Sequence, residues 1–265
     1  MGRRAVLTLA ALVIALGTTA AAVLIHDRGP RASEPPAGTS APADRGEPDA
    51  RRSRSVRAPG SPPGVLPLTG PLGARLVRRT QLRTRPGGRV IRALGRRTGY
   101  GSPRVLAVVG QRDGHLAVLT HYRGNSRPGW IPARSARLLR EPYAMRADLS
   151  ERELVVRREG RVVRRLAITV GGGATPTPTG RFAVTDALRL TSAGGPYGCC
   201  ALALTGRQPN VPQGWTGGDR LAIHGTSNPA SVGTAASSGC LRAREADIRW
   251  LLKRIPLGAR LTIVS

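Results

Sequence analysis

Residues 221–226 read LAIHGT, and residues 237–242 read SSGCLR. The apolar run before His224 predicts a β-strand that delivers this side chain at its end. Cys240 lies in the second stretch, and His224 is the only histidine in the C-terminal half of the chain. A thiol and an imidazole in one local unit are typical of a cysteine nucleophile and its proton acceptor. The two stretches therefore predict a covalent catalytic site.

The glycines beside these two residues have distinct expected roles. Gly239 allows a tight backbone turn in which neighbouring N–H groups point at a developing oxyanion. Gly225 lets the chain leave its strand, so that a backbone carbonyl accepts the Nδ1–H of His224 and fixes the tautomer. A paired imidazole and the start of a helix predicted at residues 243–254 are both expected to lower the pKa of the Cys240 thiol.

The composition limits the class of protein. The chain has 265 residues and a formal net charge of +27, and Lys253 is its only lysine. Arginine spread through every region fits a compositional bias, with attraction to anionic wall polymers as the functional alternative. One Phe, three Trp and four Tyr leave no basic run with interleaved aromatics, so nucleic-acid binding is not indicated.

The N-terminal region predicts export. Residues 5–25 carry no charge and follow Arg3 and Arg4. A run near 20 residues predicts a membrane helix with these arginines on the cytoplasmic side, and a cleaved signal is the alternative. Residues 29–66 are rich in Pro, Ala, Gly, Ser and Arg, which predicts a disordered tether after this 1–28 segment.

Residues 67–142 predict a small domain of short strands. Residues 105–109 and 116–119 are apolar runs around a Gln-Arg-Asp-Gly turn, which predicts a hairpin, and residues 129–131 read GWI. This region resembles bacterial SH3-like domains, in which a Gly-Trp-Ile-type strand comes near the end. The resemblance implies a wall-peptide binding module, with a structural spacer as the alternative.

Residues 143–265 read mainly as β. A hairpin is predicted around Arg158–Arg161, and a last strand at residues 261–264. Ile248, Leu251, Leu252 and Ile255 recur at helical spacing within the predicted helix. The Gly- and Pro-rich residues 192–218 are longer than ordinary connections and are a candidate lid.

The two stretches around His224 and Cys240 resemble the YkuD-type L,D-transpeptidase catalytic domain of bacterial cell-wall synthesis. The family pattern is a strand ending in His-Gly or His-Ser, a variable loop, and Ser/Thr-His-Gly-Cys-x-Arg/Asn. The TPTGRF segment at residues 177–182 also matches the family. The resemblance implies a mainly β fold, a β-sandwich with one or two helices, over residues 143–265.

The resemblance implies a role for each matching residue. Cys240 would be the nucleophile, His224 its base, and peptidoglycan stem tetrapeptides the substrate, with release of D-alanine, a 3→3 cross-link and no cofactor or metal. Carbapenems commonly acylate this cysteine in the family. The remaining expected roles are the oxyanion hole (Gly239, Cys240 and Ser238), orientation of the histidine (Gly225) and substrate binding (Arg242, Thr226, Tyr197 and Trp215).

One departure from the family pattern is clear. The family's second histidine, just before the glycine, is Ser238 here, and a hydroxyl carries no positive charge near neutral pH. An L,D-carboxypeptidase and a non-catalytic wall-binding protein therefore stay open. Cys199 and Cys200 are expected to be free thiols packed under the lid, with redox or zinc roles as the alternatives. The expected location is extracytoplasmic, tethered to the membrane or secreted.

Overall fold

The first sheet contains seven antiparallel strands within residues 72–140. The computed structural model describes residues 70–190, 195–211 and 218–265. The strands are β1 (Leu72–Leu76), β2 (Thr80–Arg83), β3 (Val90–Leu94), β4 (Val105–Arg112), β5 (His115–Leu119), β6 (Pro128–Pro132) and β7 (Ala136–Arg140). Their order in the sheet is β3-β2-β6-β5-β4-β1-β7. The predicted β4–β5 hairpin is confirmed, and its turn residues Asp113 and Gly114 both have positive φ.

The predicted N-terminal membrane segment at residues 1–28 and the predicted linker at residues 29–66 lie outside the described residues. Within the described ranges, no helix has the length and apolar character needed to cross a membrane.

The second sheet contains eight strands and carries the motifs singled out above. Its members are β8 (Tyr143–Asp148), β9 (Glu153–Arg158), β10 (Arg161–Ala167), β12 (Gly180–Arg189), β13 (Cys200–Arg207), β14 (Arg220–His224), β16 (Leu241–Arg242) and β17 (Arg260–Val264). The order is β10-β9-β8-β17-β12-β13-β14-β16. The short strands β11 (Val170–Gly171) and β15 (Ala235–Ser237) pair in parallel beside it.

The predicted strand that delivers the histidine is confirmed as β14. The helix α1 covers Glu245–Arg254 and so begins two residues later than predicted. Arg244 at its N-cap makes no capping hydrogen bond from its side chain. Ile248 and Leu251 are completely buried against the sheet, as their spacing predicted. The helix starts five residues after Cys240, so its N-terminus is not at the thiol.

The predicted lid contains a strand that the sequence did not indicate. β13 occupies residues 200–207 and pairs with β12 on one side and β14 on the other. Its sequence CALALTGR has threonine as its one β-branched residue and no aromatic residue, and it lies within a Gly- and Pro-rich stretch, so a strand was not predicted. Burial at the centre of the sheet overrides that local composition. The lid prediction is therefore wrong over β13.

The two sheets pack against each other through polar and apolar contacts. The Asn125 side chain donates from Nδ2 to the Arg207 carbonyl, and its Oδ1 accepts the Arg207 N–H, both at 2.8 Å. The Arg181 N–H donates to Ser126 Oγ at 2.7 Å. Buried Ala107 and Leu119 of the first sheet contact Ala183 of the second. These contacts place the loops of the first sheet beside β12 and β13.

Candidate active site

His224 is the last residue of β14 and its ring is buried. The side chain is 3% exposed, and Nδ1 lies 2.6 Å from the Gly225 carbonyl oxygen. With Nδ1 protonated, the ring donates to that carbonyl and leaves Nε2 as an acceptor. The Tyr197 ring packs edge-on against the imidazole, with ring centroids 4.8 Å apart. The backbone therefore fixes the tautomer that a general base requires.

Burial lowers the pKa of His224 to about 4. The Gly225 and Tyr197 carbonyls favour the charged ring, and the nearby Arg242 guanidinium disfavours it. Desolvation is the largest of these effects, so the imidazole is neutral at neutral pH. A neutral imidazole is the form that accepts a proton.

The Cys240 thiol is half-buried and lies against β14. Its Sγ is 3.9 Å from the Arg220 carbonyl oxygen, and the Ala222 N–H faces the sulfur. Burial raises the pKa of the Cys240 thiol, and the Ala222 N–H and the Arg242 charge oppose that shift without cancelling it. The expectation of a lowered thiol pKa is therefore wrong. At neutral pH the thiol and the imidazole are both uncharged, because burial outweighs the effects of the neighbouring charge and dipole.

The strand register brings Cys240 and His224 to one face. β14 and β16 run parallel, with His224 opposite Arg242 and Ile223 opposite Leu241. Since side chains alternate along a strand, Cys240, Arg242 and His224 project to the same side, while Ile223 and Leu241 enter the core. Cys240 and His224 also line one pocket of about 100 Å³. The remaining pocket residues are Pro196, Tyr197, Gln208, Val211, Gly218, Asp219, Arg220, Leu221, Ser238 and Arg242.

The turn before the cysteine is held by hydrogen bonds within its own loop. Gly239 has a φ of 108°, a conformation that side chains rarely adopt. Its N–H donates to Ser237 Oγ at 3.1 Å, and that hydroxyl donates to the Cys240 carbonyl at 2.6 Å. The Gly239 N–H is therefore occupied, which removes it from the predicted oxyanion hole. Within the described residues, the Cys240 N–H has no hydrogen-bond acceptor.

Two further residues support this turn. Gln208 Nε2 lies 3.0 Å from the Pro176 carbonyl and 3.3 Å from the Ser238 carbonyl, and donates to both. Thr177 Oγ1 donates to the Gly239 carbonyl at 3.0 Å. Thr177 lies in the TPTGRF segment, so that motif was the sequence feature that could have indicated its role in this turn. Nothing in the sequence singled out Gln208, because its role depends on β13 bringing it to the turn.

Cys199 and Cys200 form a disulfide bond with each other. The expectation of two free thiols is therefore wrong. Gly198, with a φ of 62°, turns the chain immediately before the pair, and the intervening peptide keeps a Cα–Cα distance of 3.8 Å. The bonded sulfurs provide neither zinc ligands nor nucleophiles, so Cys240 is the free thiol among the described residues.

The predicted substrate-binding residues divide into three groups. Tyr197 and Arg242 line the catalytic pocket, as does Ser238. Thr226 is 5% exposed and lines a different cavity beside the disulfide, where its hydroxyl accepts the Asn228 N–H at 3.1 Å. Thr226 therefore stabilises the loop after His224 and does not line the catalytic pocket. Trp215 lies outside the described residues.

Comparisons with known proteins give matches to the part of the chain that contains this site. The family model of the YkuD L,D-transpeptidase catalytic domain matches residues 142–263. The putative L,D-transpeptidase YkuD of Bacillus subtilis is 34% identical over 122 residues, which are 46% of this chain and 66% of that protein. The putative L,D-transpeptidase YqjB of the same organism is 30% identical over 134 residues, 47% of this chain and 72% of that protein.

A solved structure of L,D-transpeptidase 3 from Mycobacterium tuberculosis with a faropenem-derived adduct is also similar. It has 14% identity and a TM-score of 0.40, with 61% of this chain and 74% of the other covered. These values are too low to bear on the site. The family model and the Bacillus relatives show that the chain belongs to the YkuD L,D-transpeptidase family, with its catalytic domain at residues 142–263.

Proposed function

We propose that the protein is a peptidoglycan L,D-transpeptidase that forms 3→3 cross-links through a thioester on Cys240. The observation that carries the proposal is the common pocket of Cys240 and His224, in which the histidine tautomer is fixed by the Gly225 carbonyl. The substrate class is the stem tetrapeptide, which the family resemblance implies.

In the first half-reaction, Sγ of Cys240 attacks the carbonyl carbon of the third stem residue. Nε2 of His224 takes the thiol proton as the S–C bond forms, because both partners start neutral. The Cys240 N–H, with the Ser238 N–H beside it, donates to the oxyanion in place of the occupied Gly239 N–H. The C–N bond then breaks, and His224 returns the proton to the departing D-alanine amine.

In the second half-reaction, an amine of another stem attacks the thioester carbonyl. His224 takes a proton from that amine and returns it to Sγ as the C–S bond breaks, which regenerates the thiol. The positive charge of Arg242, opposite His224 in the ladder, stabilises negative charge on sulfur during both steps. Attack by water in place of the amine gives the L,D-carboxypeptidase alternative.

Ser238 marks where this site departs from the family pattern. It lines the pocket, so a histidine at this position would face the reacting groups. The neutral hydroxyl leaves His224 as the imidazole among the described pocket residues, beside a thiol whose pKa is raised by burial. We infer that Ser238→His raises the turnover rate if the family histidine assists the thiolate, and an unchanged rate would show that the position matters little.

The remaining regions have proposed roles of their own. The first sheet is proposed to be an SH3-like module that binds wall peptide or serves as a spacer. The chain is proposed to act outside the cytoplasm, tethered by its N-terminal segment or secreted. Its arginine-rich surface is proposed to favour anionic wall polymers.

Mass spectrometry after incubation with a disaccharide-tetrapeptide tests the activity. A cross-linked dimer that has lost one D-alanine supports transfer, and a tripeptide product supports hydrolysis instead. Retained binding without any product would overturn the catalytic proposal and support a wall-binding protein.

A further inference from the structure

A second cavity lies between the two sheets, next to the catalytic pocket. Its volume is about 270 Å³, and Arg220 lines both cavities. Loops of the first sheet contribute Thr98, Tyr100, Arg104 and His121, and the second sheet contributes Thr185 and Asp186. The carbonyl oxygen of Arg220 lies 3.9 Å from the Cys240 sulfur. The two cavities therefore meet at a residue that is in contact with the thiol.

The Arg220 guanidinium is largely buried and makes no salt bridge within the described residues. Its Nε donates to the Leu204 carbonyl at 2.9 Å, and Nη2 donates to the same carbonyl at 2.6 Å and to Thr185 Oγ1 at 3.0 Å. Its Nη1 has no acceptor in the described part of the chain, and the buried Asp186 carboxylate acts on the guanidinium without a direct ion pair. Since buried charges are normally paired, a guanidinium with a spare donor at a cavity wall is suited to an anionic ligand.

The charges around the cavity favour an anion. The pKa of His121 is lowered to about 3, first by burial and then by the positive charges of Arg220, Arg207, Arg104 and Arg92. His121 is therefore neutral and adds no positive charge. Asp186 is the acidic residue of the cavity lining, and its carboxylate accepts a hydrogen bond from Thr98. Two arginines, Arg104 and Arg220, line the cavity with this one carboxylate, so the lining carries a net positive charge.

The sheet register connects this cavity to the thiol. Asp186 is opposite Ala203, and Ala203 is opposite Ala222, so these three residues share a row and a face. β14 and β16 run parallel, with His224 opposite Arg242. Two residues earlier on both strands, Ala222 lies opposite Cys240, so Cys240 continues the same row. Three strand spacings separate Asp186 from Cys240, which is about 14 Å. The Arg220 guanidinium lies nearer, because its acceptor Leu204 is on β13, two spacings or about 10 Å from Cys240. That distance is roughly three residues of extended peptide.

The residues between Asp186 and Cys240 in this row have small side chains. Ala203 and Ala222 lie on this face, and no longer side chain of β13 or β14 stands between Asp186 and Cys240 in that row. The path proposed for an extended chain, with its reacting carbonyl at the thiol and its remote part at the arginines, follows this row of small side chains.

We propose that the cavity between the sheets is a subsite for a side carboxylate of the acyl-donor stem peptide, bound by Arg220 with Arg104. This inference rests on the proposed function for the identity of the donor. It assigns to Arg220 a role in substrate specificity, and it explains why the first sheet packs against β12: its loops complete the subsite.

Equilibrium binding tests the subsite without turnover. The full chain carrying Cys240→Ala is titrated calorimetrically with a synthetic stem tetrapeptide and with the same peptide amidated at each side carboxylate in turn. A charge-assisted hydrogen bond is expected to make the free acid bind roughly tenfold tighter than one of the amides. Arg220→Gln is expected to reduce that preference to less than about twofold.

Arg181→Gln is the matched control, because it removes an exposed arginine of the same sheet that lies outside the cavity lining. It is expected to keep the preference for the free acid. No preference in the protein with native Arg220, no binding of either peptide, or equal losses in the two arginine variants would each overturn the proposal. The comparison of free and amidated peptides needs no arginine variant, so a misfolded Arg220→Gln does not decide it.

The two proposals fail separately. Absence of cross-linked or hydrolysed product together with a retained carboxylate preference would remove the catalytic proposal and leave the subsite. Normal turnover with equal affinity for acid and amide would remove the subsite and leave the catalytic proposal.

Discussion

The Glu245 carboxylate, at the first position of α1, accepts the backbone N–H of Cys199 at 3.1 Å from Oε1 and 3.3 Å from Oε2. Gly225 packs closely on the same carboxylate: a Cβ added there would lie 2.3 Å from Oε1. One side chain thus joins the helix to the loop before β13 and to the residue after His224. Tyr197, which packs on the imidazole, belongs to that loop.

Glu245→Ala is expected to release the loop and the residue after the histidine. Loss of a hydrogen bond to a carboxylate typically costs about 1.5–3 kcal/mol, and the partial exposure of Glu245 points to the lower end. We expect a lower melting temperature and a fall in kcat/KM of several-fold, because Tyr197 no longer orders His224. Thermal unfolding and steady-state kinetics measure the two effects.

Asp247→Ala is the control for that change. Asp247 lies in the same first turn of α1 but pairs with Arg164 at 2.7 Å, away from the pocket. It should reproduce the loss of helix-dipole stabilisation without the kinetic defect. Equal kinetic losses in the two variants would contradict a positioning role for Glu245.

The pH dependence of kcat/KM should have an unusually acidic limb. Because the pKa of His224 is lowered to about 4, the base stays neutral, and the rate should hold as the pH falls through the ordinary histidine value near 6.5. We expect kcat/KM to fall only near pH 4. A limb close to pH 6.5 would show that the buried, neutral imidazole is not the base.

The pH dependence of folding stability is the control for the pH dependence of kcat/KM. The unfolded chain binds more protons than the folded chain between about pH 4 and 6.5, because the pKa of His224 is depressed only on folding. His121, with a pKa lowered to about 3, contributes a pH dependence of the same sign down to about pH 3. The free energy of unfolding should therefore decrease as the pH falls below 6.5. Circular dichroism at each pH identifies any fall in rate that comes from unfolding.

Gly239→Ala is expected to disrupt the turn before Cys240 for two separate reasons. The φ of 108° costs a non-glycine residue about 1–3 kcal/mol, and the new Cβ would lie 2.2 Å from Gln208 Nε2. We expect a loss of stability and a loss of Cys240 reactivity. Denaturant unfolding and alkylation kinetics measure them.

Gly233→Ala separates the effect of backbone strain from the effect of the contact with Gln208. Gly233 has a φ of 93°, but a Cβ added there meets no atom within 4 Å. It should lose stability from backbone strain alone and keep normal alkylation of Cys240. Alkylation that is equally slow in both variants would mean that the contact with Gln208 does not matter to the thiol.

A carbapenem should acylate Cys240 and give one covalent adduct by intact-mass spectrometry. Cys240→Ala should abolish both the adduct and turnover, because the other two sulfurs are bonded to each other. The double variant Cys199→Ala/Cys200→Ala is the control, and it should keep the adduct and part of the turnover. Wild-type turnover in Cys240→Ala would remove the proposed nucleophile.

Much of the candidate site was predictable, because its signals are local. The strand ending at His224, the amphipathic helix and the hairpins follow from side-chain period, and each depends on neighbours within a few residues. β13, with a single β-branched residue, gave no such signal, since its strand conformation comes from pairing with β12 and β14. Gln208 and Glu245 were missed for the same reason: their partners are distant in the chain.

The sequence by itself predicted the nucleophile and the base, since Cys240 and the one C-terminal histidine, His224, lie in family motifs. Only the tertiary structure decided their ionisation. Burial under Tyr197 and against β14 lowers the imidazole pKa and raises the thiol pKa, and desolvation depends on every segment that excludes water. The bond between Cys199 and Cys200 and the two cavities that meet at Arg220 are likewise products of chain packing.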